Sequence, residues 1–428
     1  MSETASGFRK LQPADIRMTK VRLHHRNAPL EDIPEAVRAQ LSALKGTLRP
    51  GMRIAITAGS RGISNMALII RSIAEFVRAC GAEPFVIPAM GSHGGATAQG
   101  QAAVLAGYGI TEDYVGAPIV SSMEVVRIGT TEGEPAIPVF MDRNAWESDG
   151  VIVVNRVKPH TDFHGVHESG VVKMMTIGLG KHRQALEMHR HGASGLRDYI
   201  PRVTKTVIES GKILGALGIV EDGYDHTSRL AFAQGMEIFD MDRRLLEEAR
   251  ENIARLPFEQ LDLLIVDEMG KNYSGTSLDT NVIGRLCIRG EQDAAPFCRR
   301  IVTLDVSDES HGNALGVGLS DVITARLRDK IDWDVTLENV ITSGFLERGF
   351  LPIVQDTDLA AIATAIRGIG RAVTADTIRL ARIKNTLSLD EIWVSEALKK
   401  DFDPADRVSA ETTDVPLRFD ADGNIGVF

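Results

Sequence analysis

The strongest constraint on the fold is a phrase that recurs along the chain: a short apolar run, a glycine-rich loop, then a helical pattern. Residues 53–57 (RIAIT) read as a buried strand that ends in the turn Ala58-Gly59-Ser60-Arg61-Gly62. Ser64 then stands where a helix cap is expected. Met66, Ile69, Ile70, Ile73, Phe76 and Val77 keep helical spacing up to Cys80, and Gly81 supplies the stop. Residues 83–88 form the next strand, followed by the loop Met90-Gly91-Ser92-His93-Gly94-Gly95 and a helix over 97–105. Strand, loop, helix, repeated, is how a parallel sheet is built, and ligands gather at the carboxyl ends of its strands.

Further strands are expected at 150–155 (GVIVVN), 214–220, 261–266 (LDLLIV) and 300–306. Helices are expected at 199–209, 241–256, 314–327 and 358–371, the heavily charged 241–256 segment serving as a connector. Residues 1–50 are polar, with room for a strand or two and a short helix. At 428 residues, 43% hydrophobic, with 40 glycines and only 5% aromatics, the chain favours α/β layers over a β-sandwich. The expectation is two α/β domains with mostly parallel sheets, 1–256 and 257–428, and an active site in the cleft between them. The last residues are free to pack back on the first domain.

A net charge of −10 argues against a general nucleic-acid binder, because phosphate contacts demand a basic surface. Three scattered cysteines, with no C-x-x-C pair, indicate neither a disulfide framework nor a thiolate zinc site and fit a reducing cytoplasm. No apolar leader or membrane-length apolar run stands out.

Six of the eleven histidines fall between positions 160 and 191: His160, His164, His167, His182, His189 and His191. Imidazole titrates near neutrality and binds borderline metals, so this density points to proton transfer or metal binding. His164 and His167 are expected at the surface. A zinc or iron hydrolase or lyase built on the 160–191 cluster is one alternative, and a noncatalytic nucleotide- or metal-binding protein another. No H-E-x-x-H motif supports a zinc peptidase. His93 sits between glycines in a strand-end loop and either faces a ligand or caps the next helix. Arg61 stands between a strand and a helix start, a suitable anion site, or is a surface arginine. Lys173, among apolar neighbours, is either a desolvated nucleophile or a snorkelling side chain.

Taken in order, these residues resemble the lactate racemase family. The matching pieces are the Ser60-Arg61 loop, Gly91-Ser92-His93, Pro159-His160, then Ser169-Gly170 with Lys173, and His189 at the expected distance behind it. The resemblance implies a nickel-pincer nucleotide bound covalently by Lys173, with His189 as a nickel ligand. It implies that Ser60, Arg61, Gly91 and Ser92 contribute to cofactor or anion binding, and that His93 and His160 act as an acid/base pair. The implied reaction is inversion of C2 of a small 2-hydroxy acid, an isomerase activity. Cofactor-biosynthesis enzymes would be transient partners, and a heterologous host need not supply the cofactor. This sequence departs from the family pattern at Ala58, where an acidic residue is usual. It also departs after Asp279-Thr280-Asn281, where no lysine follows closely. Arg285 or Lys271 would take that lysine's substrate-binding role, and the substrate could equally be lactate, an aldonate or a dicarboxylate. Lys181 is a second candidate for covalent attachment.

Overall fold

The computed structural model describes residues 11–60, 62–402, 408–426 and 428; Arg61 lies outside the described residues. The chain divides into two compact units, one of residues 26–253 and one of residues 1–25 with 254–428.

The first unit is built on a five-stranded sheet in the order Glu83–Pro88, Arg53–Ala58, Gly150–Arg156, Ile213–Glu221, Thr227–Ala233. The first three pairings are parallel, and the hairpin strand Thr227–Ala233 closes the edge antiparallel. Every residue of Arg53–Ala58 after the arginine is buried, as a strand covered on both faces requires. The helix Met66–Ala79 lays Ile69, Ile70, Ile73 and Val77 into the core beside Ile54 and Ile56, and Gly81 at φ +82° ends it. Ser64 is not its cap: Asn65 holds the cap position, and the Ser64 N–H is bound by Glu221 instead. The charged segment expected as a connector is the helix Glu237–Asn252, which buries Asp242, Leu245, Leu246 and Ala249. Leu245, Leu246 and Ala249 pack with Val157 and Val220 against the sheet.

The second unit carries an eight-stranded sheet. Ile353–Gln355, Val322–Thr324, Phe297–Val306, Gln260–Met269 and Leu380–Ile383 run parallel; Glu391–Ser395, Arg17–Leu23 and Val408–Pro416 extend it antiparallel. The α/β class with mostly parallel sheets therefore holds. The domain boundaries differ from the expectation: Arg17–Leu23 and Val408–Pro416 pair with each other in the second unit's sheet, so residues 17–23 belong to that unit. The helix expected at 314–327 is instead a 3-10 turn at Val317–Leu319, the strand Val322–Thr324 and the short helix Ala325–Asp329. Gly316 sits at φ +102°, and its missing side chain leaves room for the Thr276 carbonyl. A helix cannot pass through that conformation. Among the described residues no helix is long and apolar enough to cross a membrane.

Candidate active site

Three loops leave the carboxyl ends of neighbouring parallel strands in the first unit: 59–65 after Arg53–Ala58, 89–97 after Glu83–Pro88, and 157–170 after Gly150–Arg156. They carry Ser60, Gly91, Ser92, His93 and His160 to one sheet edge. Asn155, near the end of its strand, closes the third of these loops by donating to the Gly170 carbonyl at 3.0 Å.

His93 is exposed, and its Nδ1 is hydrogen-bonded to the Ser60 hydroxyl. It stands at the start of the 3-10 turn Gly94–Ala96 without a side-chain cap bond; the helix Ala98–Gly107 is capped by Thr97, accepting from Gly100 N–H at 3.0 Å. Gly91 lies at φ +61°, and a Cβ there would come within 2.9 Å of Ile177 Cγ2. The glycine thus lets this loop sit directly against the segment that follows Lys173.

Lys173 ends the one-turn helix Val171–Lys173, which runs into a π-helical stretch, Met174–Gly178. Asp242 starts this helix from outside, its Oδ1 accepting the Val171 and Val172 N–H groups at 2.8 and 3.3 Å. Gly170 is needed for that approach, since a Cβ there would lie 2.1 Å from the same oxygen. The Lys173 amine meets His160 Nε2 in a short contact. His160 Nδ1 accepts from Asp162 N–H at 3.0 Å, so a neutral ring carries its proton on Nε2.

His189, at the end of the helix Lys181–His189, completes the group. Burial pushes its imidazole below the ordinary value, positive charge on Lys173 pushes the same way, and Asp162 opposes both. A histidine kept neutral beside an amine is suited to ligating a metal through its free nitrogen.

Not every residue of the histidine cluster faces this site. His167 is not a surface residue: its side chain is 10% exposed and pairs with buried Asp242 at 3.0 Å. His164 pairs at 3.3 Å with fully buried Glu168, which also accepts from His160 N–H, Gly165 N–H and Arg250. Burial alone would raise the Glu168 carboxyl, but its bonds to His164, the His160 N–H, Arg250 and the Gly165 N–H hold it below its ordinary value. Among the described residues no group of three or more His, Cys, Asp or Glu side chains is arranged to hold a metal ion. Lys181 is fully buried and engaged with Pro88, Gln101 and Asp142, so its amine is not open to attachment.

Lys271 and Arg285 belong to the second unit. Lys271 donates to the Gly275 carbonyl and to Asn339 Oδ1 at 2.9 Å. Arg285 spends its guanidinium on Asp321 at 2.7 Å and on the Leu319 and Cys298 carbonyls. Asp242, Glu168 and Asn155 escaped the sequence reading because each acts from a distant segment or through backbone groups. The only local signal was the run Ser169-Gly170 before Lys173.

Residues 9–196 match the lactate racemase N-terminal domain family. The lactate racemase apoprotein from Thermoanaerobacterium thermosaccharolyticum is similar in structure, with a TM-score of 0.52 and 12% identity over 86% of this chain and 94% of that one. At that identity the likeness speaks for the fold alone. None of the curated proteins matches the chain in sequence.

Proposed function

From the premise that residues 9–196 place this chain in the lactate racemase family, we propose that it is an isomerase inverting C2 of a small 2-hydroxy acid with a nickel-pincer nucleotide. The observation that carries this reading is the Lys173 amine set against His160 Nε2, with His189 held neutral beside it.

The residues fit that group. Lys173 would attach it covalently, since an amine is a nucleophile in its uncharged form. His189 would be the protein's ligand to nickel, and a single imidazole suffices where the cofactor brings the other donors. The bare Gly91 backbone and the Ser60 and Ser92 hydroxyls would line the cradle, joined by Arg61 as an anion-binding cation. When bound, the cofactor supplies hydride exchange at C2.

The protein's own contribution is proton handling, and its two histidines are prepared differently. Ser60 can donate to His93 Nδ1 or accept from it, so His93 Nε2 can present either a proton or a lone pair. A group that serves both directions of a racemisation needs that freedom. His160 is held with its proton on Nε2 by the Asp162 N–H, which favours donation toward a substrate oxygen. Lys271 remains the proposed substrate cation of the second unit, whereas the Arg285 guanidinium is taken up by Asp321 and two backbone carbonyls.

The test is a panel of enantiopure 2-hydroxy acids deuterated at C2, incubated with cofactor-loaded protein. Inversion with deuterium retained at C2 is the expected result. Washout of the label into water would replace hydride exchange by simple deprotonation, and no inversion of any member would end the isomerase reading.

A further inference from the structure

The side chains of Lys181, Gln101 and Asp142 are all fully buried, and none belongs to the chemistry described above. The Lys181 ammonium has three hydrogens and meets three oxygens. It bonds the Pro88 carbonyl, it bonds Gln101 Oε1 at 3.3 Å, and it lies 3.0 Å from Asp142 Oδ2 in an ionic contact. Burial holds the pKa of this amine below its ordinary value, and the Asp142 carboxylate opposes that shift. Gln101 turns its other end toward the active-site loop: Nε2 donates to the Gly91 carbonyl at 3.0 Å and to the His93 carbonyl at 3.2 Å.

The first half of loop 89–97 is thereby gripped from one point. Pro88 is where the strand ends, and Gly91 and His93 are where the loop presents its side chain. The same point is anchored to the Lys173 segment. Asp142 N–H donates to the Leu179 carbonyl at 2.7 Å, and a Cβ on Gly178 would lie 2.8 Å from the Ala89 carbonyl. At Gly178 the Lys173 segment packs directly on the Ala89 backbone, and beside it the Ile177 side chain packs on Gly91.

We propose that Lys181, Gln101 and Asp142 form a buried strut that positions His93 relative to Lys173. They are positioning residues acting through the loop backbone. The significance for turnover rests on the proposed role of His93; the strut itself does not.

The test uses Gln101→Leu and the charge-neutral pair Lys181→Met with Asp142→Asn. Hydrogen exchange by mass spectrometry should show loop 89–97 exchanging about tenfold faster or more in both, the scale of one lost hydrogen bond to a carbonyl. Peptides from Ile213–Glu221 should keep their wild-type rate. In loaded protein kcat should fall with KM unchanged. Wild-type exchange in loop 89–97, or equal acceleration throughout the unit, would overturn the strut, the second because a merely structural role predicts it. If neither variant folds, the unaltered protein decides. A solvent-protected Lys181 ammonium resonance at neutral pH supports the strut, and its absence overturns it. If no 2-hydroxy acid is turned over, the exchange rates still judge the strut, and only the isomerase reading falls.

Discussion

The two units spend their basic side chains in opposite ways. In the first unit the loops after Arg53–Ala58, Glu83–Pro88 and Gly150–Arg156 put functional side chains against one another: Ser60 on His93, Lys173 on His160. In the second unit the basic side chains are absorbed by their own scaffold, Arg285 by Asp321 and two carbonyls, Lys271 by Gly275 and Asn339. The contrast teaches that a strand-end loop becomes reactive when buried groups behind it satisfy its backbone. Asp242, Glu168 and Gln101 do this in the first unit, leaving the imidazoles and the amine to face outward. Where the side chains themselves must satisfy the backbone, as with Arg285, little is left for a ligand.

That contrast can be broken most directly at Lys173. Lys173→Ala should abolish cofactor loading and with it all activity, read as the absence of a mass adduct on the peptide; a retained adduct would move the attachment elsewhere. Next in size, His93→Ala and His160→Ala should each lower kcat by roughly 10²-fold, the usual worth of a positioned acid or base. Full activity in either would end the two-histidine scheme. Smaller again, Arg285→Ala should cost about 1–3 kcal/mol in the unfolding free energy of its unit, as loss of charge-assisted bonds does, with KM unchanged. A rise in KM without loss of stability would instead make Arg285 a substrate ligand and erase the contrast.

The smallest expected effect is local and acid-dependent. The folded Glu168 carboxyl lies below its ordinary 4.5, so the unfolded loop binds the proton more tightly. Its contribution is therefore complete above about 4.5 and is lost as the pH falls through the lower folded value. Hydrogen exchange in 160–170 should rise on acidification in that window, and Glu168→Gln should remove the dependence. An acid dependence that survives in Glu168→Gln would assign the loop's response to another group.

Much of the scaffold was legible. Arg53–Ala58, Glu83–Pro88, Gly150–Arg156 and Gln260–Met269 lie where buried apolar runs placed them, and Met66–Ala79 follows its helical spacing. The segment 314–327 was misread because its apolar spacing imitates a helix while Gly316 takes a conformation no helix contains. Lys173 and Lys181 show the same limit within the site. Both stand in one glycine-punctuated run, and nothing local separates them, yet one faces His160 and the other is fully enclosed.

What the chain alone determined is what depends on near neighbours: apolar runs that must be covered, glycines that end or bend an element, and histidines dense enough to imply chemistry. What only the tertiary structure decided is which polar groups meet. The bonds Asp242 to Val171, Lys181 to Pro88 and Ser60 to His93 join segments brought together by strand order, not by spacing. Strand order follows from how whole layers bury their faces. A side chain's protonation and reach are then set by partners from distant segments, which no local pattern encodes.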